Sequence, residues 1–333
     1  MKTKHFNDPI ERNIAMELVR VTEAAALAAA RFLGRGDKSQ VDEAAVTAMR
    51  YVLGYVRMDG IVIIGEGEKD HAPMLYIGEH IGDGSYLKVD IAVDPIDGTN
   101  VVARGLPGAI SVVALSARGT MHCPREFFYM NKIATGPEAK DCIDINAPAV
   151  INLKNIAKAK KRKISELTVV VLDRPRHEQL LEDIRAAGAR VKLISEGDVA
   201  ASIEAALPDR EVDVLMGIGG TPEGVLSAAA LHCIGGAIQC KAWPRDDKER
   251  KRAKAAGIDI DKVYKTEDLI NSDDVFFAAT GVSSGEFLKG VRYFRGGAYT
   301  QSLAMRGRSG TVRWVDALHN FDRLDKLSFF DIH

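Results

Sequence analysis

The sequence has little that would direct the chain to a membrane or to a nucleic acid. Its 333 residues carry a net charge of −1, so the chain as a whole has no strong attraction for a polyanion. The longest apolar runs, such as SAAALHCIGGAI, are too short to span a bilayer, and the first residues contain no apolar signal segment. We therefore expect a cytoplasmic protein with no membrane or nucleic-acid partner.

Cysteine and histidine patterns that carry chemistry are also missing. The four cysteines form no C-x-x-C pair and no cluster with zinc spacing, which predicts buried or idle thiols in a reducing compartment. His177 is the one histidine beside a candidate site, and no Ser-His-Asp or Cys-His arrangement is evident. These absences favour a metal-activated water over a protein nucleophile.

The chain is rich enough in apolar residues, at 46%, to form a sizeable core. Helical spacing predicts a first helix over 10–33 and a second one, capped by Ser39, that ends near Met58. Strands are predicted at GIVIIGEGE, YLKVDIAVD and AISVVALSA, and again from about residue 275. Between them, 168–240 alternates strand and helix, which predicts a mostly parallel sheet. The sequence therefore predicts an α/β fold of two lobes, 1–160 and 161–333.

The stretch IAVDPIDGTN holds the first candidate site. Asp94 and Asp97 follow a buried strand, at the rim where open α/β folds bind ligands. Two such carboxylates can share a hard cation, Gly98 admits a phosphate close to the backbone, and Thr99 can orient a water. The competing interpretation is an Asx-turn and helix cap with no ligand.

Three other places repeat acidic residues beside glycines or helix starts. IIGEGEKD places Glu66 and Glu68 after a second strand, where a cation would relieve their repulsion. GIGGTPEG places Glu223 in the first turn of a helix, and Asp42 lies near the start of the second helix. Taken alone, Glu223 and Asp42 can simply complement a helix dipole.

Arginines and polar residues that suit a phosphorylated sugar lie in the second half. Arg174 and Arg176 flank Pro175 directly after a strand, and arginine forks match phosphate oxygens. SEGDVA supplies Glu196 and Asp198, which can accept hydrogen bonds from sugar hydroxyls, or can serve only as acidic helix caps.

The motifs GEGE, DPIDGT, DRPRH, SEGDVAAS and GIGGTPEG, in this order, resemble the class II fructose-1,6-bisphosphatases. These belong to the lithium-sensitive, metal-dependent sugar and inositol phosphatases. The resemblance implies a layered α-β-α-β-α sandwich, Mg²⁺ or Mn²⁺ as cofactor, a sugar bisphosphate as substrate and a homo-oligomer, either dimer or tetramer. The implied reaction is hydrolysis of the 1-phosphate of fructose 1,6-bisphosphate.

The resemblance also implies a role for each matching residue. For the water itself, our own hypothesis is that Asp42 and Thr99 orient and deprotonate it. The metal ligands would be Asp42, Glu66, Asp94, Asp97 and Glu223. The substrate would contact Asp97, Gly98, Thr99, Tyr129, Arg174, Pro175, Arg176, Glu196, Gly197, Asp198 and Gly220.

Three alternatives stay open. The first is an enzyme that cleaves sedoheptulose 1,7-bisphosphate as well, as related photosynthetic enzymes do. The second is an inositol or sugar monophosphatase on the same fold. The third is a non-catalytic sensor that binds metal and sugar phosphate without turnover.

Overall fold

A computed structural model describes residues 14–67, 73–208 and 210–324. The strands of this part of the chain are β1 Asp59–Ile64, β2 His80–Ile81, β3 Lys88–Asp97, β4 Ile110–Ala117, β5 Tyr129–Thr135, β6 Thr168–Leu172, β7 Arg190–Ile194, β8 Val214–Gly220, β9 Ala237–Ala242, β10 Val263–Lys265, β11 Val275–Gly281, β12 Arg292–Phe294, β13 Gly297–Arg306 and β14 Thr311–Asn320. The helices are α1 Ile14–Ala29, α2 Lys38–Leu53, α3 Thr99–Ala103, α4 Ala149–Ala159, α5 Glu178–Ala186, α6 Asp198–Glu204, α7 Thr221–Ile234, α8 Asp247–Ala255, α9 Thr266–Leu269 and α10 Phe321–Leu324.

The strands form two mixed sheets. In the first sheet the order is β12-β13-β11-β4-β3-β1-β2, and β14 pairs with the other edge of β13. In the second sheet the order is β10-β9-β5-β8-β6-β7. The first sheet draws strands from both sides of residue 160, and the division of the chain into lobes at that position stays a prediction.

Alternation along the strands separates three cores, which stack the helices and sheets into five layers. On β4, Val113 and Leu115 pack towards α1 and α2, whereas Val112 and Ala114 pack towards α6 and α7. On β6, Val170 faces this same middle core, while its neighbours face α4 and α5 on the outer side. The predicted α-β-α-β-α sandwich is confirmed, with α6 and α7 as the layer between the two sheets.

The strand–helix alternation predicts a mostly parallel sheet, and its strands β6, β7, β8 and β9 do run in one direction, but the sheet as a whole is mixed. Strand β6 is parallel to β7 and β8, but β5 runs antiparallel to both β8 and β9. Because β5 comes from earlier in the chain and inserts between β8 and β9, the rhythm of the later segments cannot reveal it.

Several predicted boundaries also move. The cap of α2 is Asp37, whose carboxylate accepts the Gln40 N–H at 3.0 Å, and not Ser39. That helix ends at Leu53, well before Met58. The first helix is described from Ile14, so the predicted residues 10–13 lie outside the described chain. No helix in the described ranges is both long and apolar enough to cross a bilayer.

A buried carboxyl joins α1 to the first sheet and makes stability depend on pH. Glu23 is 7% exposed and accepts a hydrogen bond of 2.9 Å from Thr300, whose hydroxyl also lies 2.8 Å from His319. Burial raises the pKa of Glu23 to about 7, although Thr300 and Arg20 act to lower it. The native state therefore holds a proton that the unfolded chain releases above about pH 4.5.

We expect Glu23→Gln to stabilise the protein at pH 8. Glutamine keeps an acceptor for Thr300 without a buried charge, so the free energy of unfolding should rise by roughly 2 to 3 kcal/mol. Glu23 makes wild-type stability fall as the pH rises from 4.5 to 7, and the variant should lose the part of this slope that Glu23 contributes. Urea unfolding across this range measures both effects, and an unchanged slope in the variant would contradict the assignment.

Candidate active site

The DPIDGT motif forms a bulge at the end of β3. Asp94 pairs with Val112 and Asp97 with Ile110, so two residues of β3 face one residue of β4 between those pairs. The strand therefore continues through Asp97, and Pro95 lies within the bulge rather than in a turn after the strand. Gly98 follows with φ +106°, and α3 begins at Thr99.

Asp94 and Asp97 lie in a crowded group of acidic side chains. Glu223, at the start of α7, and Asp198, at the start of α6, belong to the same group. Burial raises the pKa of Asp94 and Asp97 well above the usual value, and the neighbouring carboxylates raise it further. Asp97 Oδ2 and Glu223 Oε2 are buried without a hydrogen-bond partner among the described residues.

A buried lysine partly compensates this negative charge. The Lys132 side chain on β5 is 1% exposed, and its Nζ donates to Asp198 Oδ2 at 2.8 Å. Burial opposes the charge on Lys132, but Asp198 and Glu223 outweigh burial and raise its pKa. The sequence motifs do not select Lys132. Its burial could have been inferred from strand alternation, because Lys132 lies on the same face of β5 as Met130 and Ala134, and both of these residues are buried in the middle core.

Asp42 and Thr99 meet at the other end of the acidic group. Thr99 Oγ1 donates to Asp42 Oδ1 at 2.8 Å, across 57 positions of sequence. Burial raises the pKa of the Asp42 carboxyl, although the Thr99 hydrogen bond acts against this. Burial and the charge of Asp42 raise the pKa of Glu66, on the turn after β1, to about 7. Glu68 lies outside the described residues.

Glu196 connects the second sheet to α3. Its carboxylate accepts the Asn100 backbone N–H at 3.2 Å and a hydrogen bond from the Asn100 amide. Gly197 follows with φ +90° and leads into α6 at Asp198. The contact brings the SEGD segment against the DPIDGT segment. Asn100 is a second residue that sequence reasoning did not select.

Arg176 is held in place by an aromatic ring and a carbonyl. Its guanidinium carbon lies 4.8 Å from the centre of the Tyr129 ring, and Nη2 donates to the Ile218 carbonyl at 2.9 Å. Its Nε is buried and has no acceptor among the described residues.

The neighbouring His177 has a structural role. Its Nε2 accepts a hydrogen bond from the Ile218 backbone N–H and its Nδ1 donates to the Leu172 carbonyl, both at 2.7 Å. Burial lowers the pKa of His177, in keeping with this neutral tautomer.

Glycines allow the backbone to approach these side chains. A Cβ on Gly219 would lie 2.0 Å from Asp198 Oδ2, and one on Gly220 would lie 1.9 Å from Glu223 Oε2. Any larger residue at either position would displace a carboxylate, which explains the glycine pair at the end of β8.

One cavity of about 650 Å³ joins both ends of the site. Its lining includes the predicted residues Asp94, Asp97, Gly98, Thr99, Tyr129, Arg174, Arg176, Glu196, Gly197, Asp198, Gly220 and Glu223. Asp42 stands behind Thr99, Glu66 lies beside the cavity wall, and Pro175 is exposed at the start of a 3-10 helix, Pro175–His177. We call the part of the wall around Asp94, Asp97 and Glu223 the acidic end, and the part around Arg174 and Arg176 the arginine end.

The geometry tests the fit of a cation in two ways. Within 14–67, 73–208 and 210–324, no three His, Cys, Asp or Glu side chains converge closely enough to form a metal site as they stand. The donor set nevertheless suits a hard cation, because it is made of carboxylate oxygens that repel one another and two of them are orphaned. The predicted metal ligands stay a prediction.

An α/β sandwich whose cavity is lined by both buried carboxylates and arginines suits a hydrolase for a phosphorylated substrate. Comparison with known proteins is more specific. Residues 12–319 match the family described as bacterial fructose-1,6-bisphosphatase, glpX-encoded. The chain is 43% identical to D-fructose 1,6-bisphosphatase class 2/sedoheptulose 1,7-bisphosphatase of Synechococcus elongatus, over 96% of this chain and 99% of that one. It is 44% identical to fructose-1,6-bisphosphatase class 2 of Haemophilus influenzae over the same shares.

The chain therefore belongs to the class II, GlpX-type family of fructose-1,6-bisphosphatases. This confirms the resemblance, the enzyme class and the sugar bisphosphate substrate expected from the motifs.

Proposed function

We propose that the enzyme hydrolyses the 1-phosphate of fructose 1,6-bisphosphate to give fructose 6-phosphate and phosphate. The observation that carries this assignment is the cavity whose wall includes Thr99 and Asp94 as well as Arg176. A sugar that carries two phosphates can use the carboxylates, through a cation, for one phosphate and the arginine for the other. The family and its named relatives support the same substrate.

Thr99 and Asp42 orient and deprotonate the attacking water. Because Asp42 accepts the Thr99 hydrogen, the lone pairs of the hydroxyl are left to accept a hydrogen bond from a water in the cavity. Gly98 and the backbone at the start of α3 hold the scissile phosphate.

Mg²⁺ or Mn²⁺ fits the acidic end of the cavity. Its ligands in this proposal are Asp42, Glu66, Asp94, Asp97 and Glu223. The ion supplies charge neutralisation for the phosphoryl oxygens and lowers the pKa of a bound water. The protein residues position the water, the phosphate and the sugar relative to one another.

The arginine end recognises the 6-phosphate. Arg176 has a buried Nε without an acceptor, and a phosphate oxygen would satisfy it. Arg174 and Tyr129 line the same end, and Glu196, Gly197, Asp198 and Gly220 lie along the sugar. Pro175 sets the spacing of the two arginines.

Arg176→Gln should discriminate between two classes of substrate. Loss of a charge-assisted hydrogen bond should raise KM for fructose 1,6-bisphosphate by roughly 10-fold or more. Turnover of fructose 1-phosphate, which lacks the distal phosphate, should not change. An equal loss on both substrates would favour a sugar or inositol monophosphatase.

The proposed function as a whole is tested by phosphate release from a panel of substrates with Mg²⁺, with Mn²⁺ and with EDTA. Fructose 1,6-bisphosphate should be cleaved only with metal, and inositol 1-phosphate poorly. Sedoheptulose 1,7-bisphosphate belongs in the panel because one relative is named for both bisphosphates. Binding of fructose 1,6-bisphosphate without any turnover would instead indicate a sensor.

A cytoplasmic location and a homodimer or homotetramer complete the proposal. All four cysteines, Cys123, Cys142, Cys233 and Cys240, are free, which suits a reducing compartment.

A further inference from the structure

A carboxylate is buried on α8, a helix whose residues are mostly charged. Glu249 in α8 is 4% exposed, although the helix around it is DKERKRAKA. Its two oxygens accept from the Arg245 backbone N at 2.7 Å and from Arg245 Nε at 3.1 Å, and Oε1 lies 3.0 Å from Nη2. Burial acts to raise the pKa of Glu249, but these hydrogen bonds hold it below the usual value. Both oxygens of the charged Glu249 side chain therefore bind Arg245.

Arg245 is fixed at the wall of the active-site cavity. Its guanidinium carbon lies 4.5 Å from the centre of the Phe128 ring, while its side chain remains 49% exposed. A side chain so exposed contributes little to the core. The guanidinium group is therefore preorganised to bind a ligand, because Glu249 and Phe128 hold it in place while it still lines the cavity.

The setting of Arg245 mirrors that of Arg176. Arg176 stacks on Tyr129, Arg245 stacks on the preceding Phe128, and the two rings meet edge to face with centres 4.8 Å apart. Both arginines line the same cavity. In Arg245 the Nε and Nη2 atoms face Glu249, and Nη1 has no acceptor among the described residues.

We propose that Arg245 is a further contact for the distal phosphate and lies across that end of the cavity from Arg176. Glu249 is its positioning residue. The ligand class is a phosphomonoester dianion on a short sugar. The assignment rests on the proposed function, and it adds to the RPR segment an arginine that the sequence motifs do not select.

Arg245→Gln tests the assignment through the form of the kinetic loss. KM for fructose 1,6-bisphosphate should rise roughly 10-fold, because a charge-assisted hydrogen bond is lost, while kcat changes by less than about twofold. Fructose 1-phosphate should be cleaved as by the wild type. Arg250→Gln is the matched control, since this arginine is exposed on α8, close in sequence to Arg245, and is not among the residues that line the cavity. It should have little effect on KM.

Two further variants separate contact from positioning. Arg245→Lys keeps the charge without the fork and should recover part of the affinity. Glu249→Gln keeps an acceptor for the Arg245 backbone N–H but weakens the hold on the guanidinium. It should raise KM for the bisphosphate alone, with the folded fraction checked by circular dichroism.

Binding of fructose 6-phosphate, measured by calorimetry, makes the same comparison without turnover. Arg245→Gln should weaken this binding roughly 10-fold as well. Unchanged KM and unchanged binding would overturn the assignment, and so would equal losses on fructose 1-phosphate. A wild-type enzyme that binds fructose 6-phosphate through Arg245 but never releases phosphate would contradict the proposed function alone.

Discussion

Replacing Asp94 by asparagine should lower kcat for fructose 1,6-bisphosphate by about 100-fold or more, the size expected for loss of a charge-stabilising group in an active site. Asparagine retains an oxygen for the Ile96 N–H, which lies 3.1 Å from Asp94 Oδ1, so the bulge should keep its shape. The loss should therefore reflect charge. Phosphate release at saturating Mg²⁺ or Mn²⁺ measures it.

The same substitution should leave the metal-free protein as stable as the wild type, or make it more stable. Asp97, Glu223 and Glu66 all repel the Asp94 carboxylate, and the variant removes that repulsion. The rise in melting temperature on adding Mn²⁺ should shrink in the variant. Asp261→Asn is the control, because this carboxylate is 77% exposed and belongs to a surface ion pair. Turnover within about twofold of wild type in Asp94→Asn would refute the proposed mechanism.

Lys132→Met should destabilise the protein by about 3 to 5 kcal/mol, the usual cost of leaving a buried charge without its partner. Methionine preserves much of the volume, so the loss reports on the charge. Asp198 loses its 2.8 Å partner, and Glu223 and Asp97 lose the cation that offsets their repulsion. Urea unfolding at pH 8 gives the free energy.

Lys241→Met on the neighbouring strand β9 is the matched control for Lys132→Met. Lys241 pairs with exposed Asp261 at 3.0 Å, and its loss should cost less than about 1 kcal/mol. The effect of Lys132→Met should diminish in acid, because the raised pKa values of Asp97 and Glu223 let these groups take up protons early as the pH falls. A cost that is equal for the two lysines, or that does not change with pH, would contradict the account.

The strands and helices could largely be predicted from the sequence, because hydrophobic period and glycine breaks act locally. Strand β4 and the helix over Glu178–Ala186 follow directly from such patterns. The insertion of β5 between β8 and β9 could not be predicted in this way. Strand order depends on contacts between distant segments, and β5 has the same local pattern wherever it pairs.

The candidate site shows the same division. Asp94, Asp97 and Gly98 were predictable as a local motif, whereas the Asp42–Thr99 hydrogen bond joins residues whose relation appears only in the fold. Lys132 was missed because a lone lysine in a strand is most often exposed. The resemblance to a family predicted roles for the motif residues, and the fold shows which of these residues are in contact.

The middle layer of the sandwich limits how the enzyme can move. Helices α6 and α7 pack against both sheets, and they carry Asp198 and Glu223. A hinge between the sheets would separate these carboxylates either from Asp97 on the first sheet or from Lys132 on the second, and so would disrupt the acidic group. Entry and release of sugar phosphates must then depend on side chains and loops at the rim, with the framework acting as a fixed block.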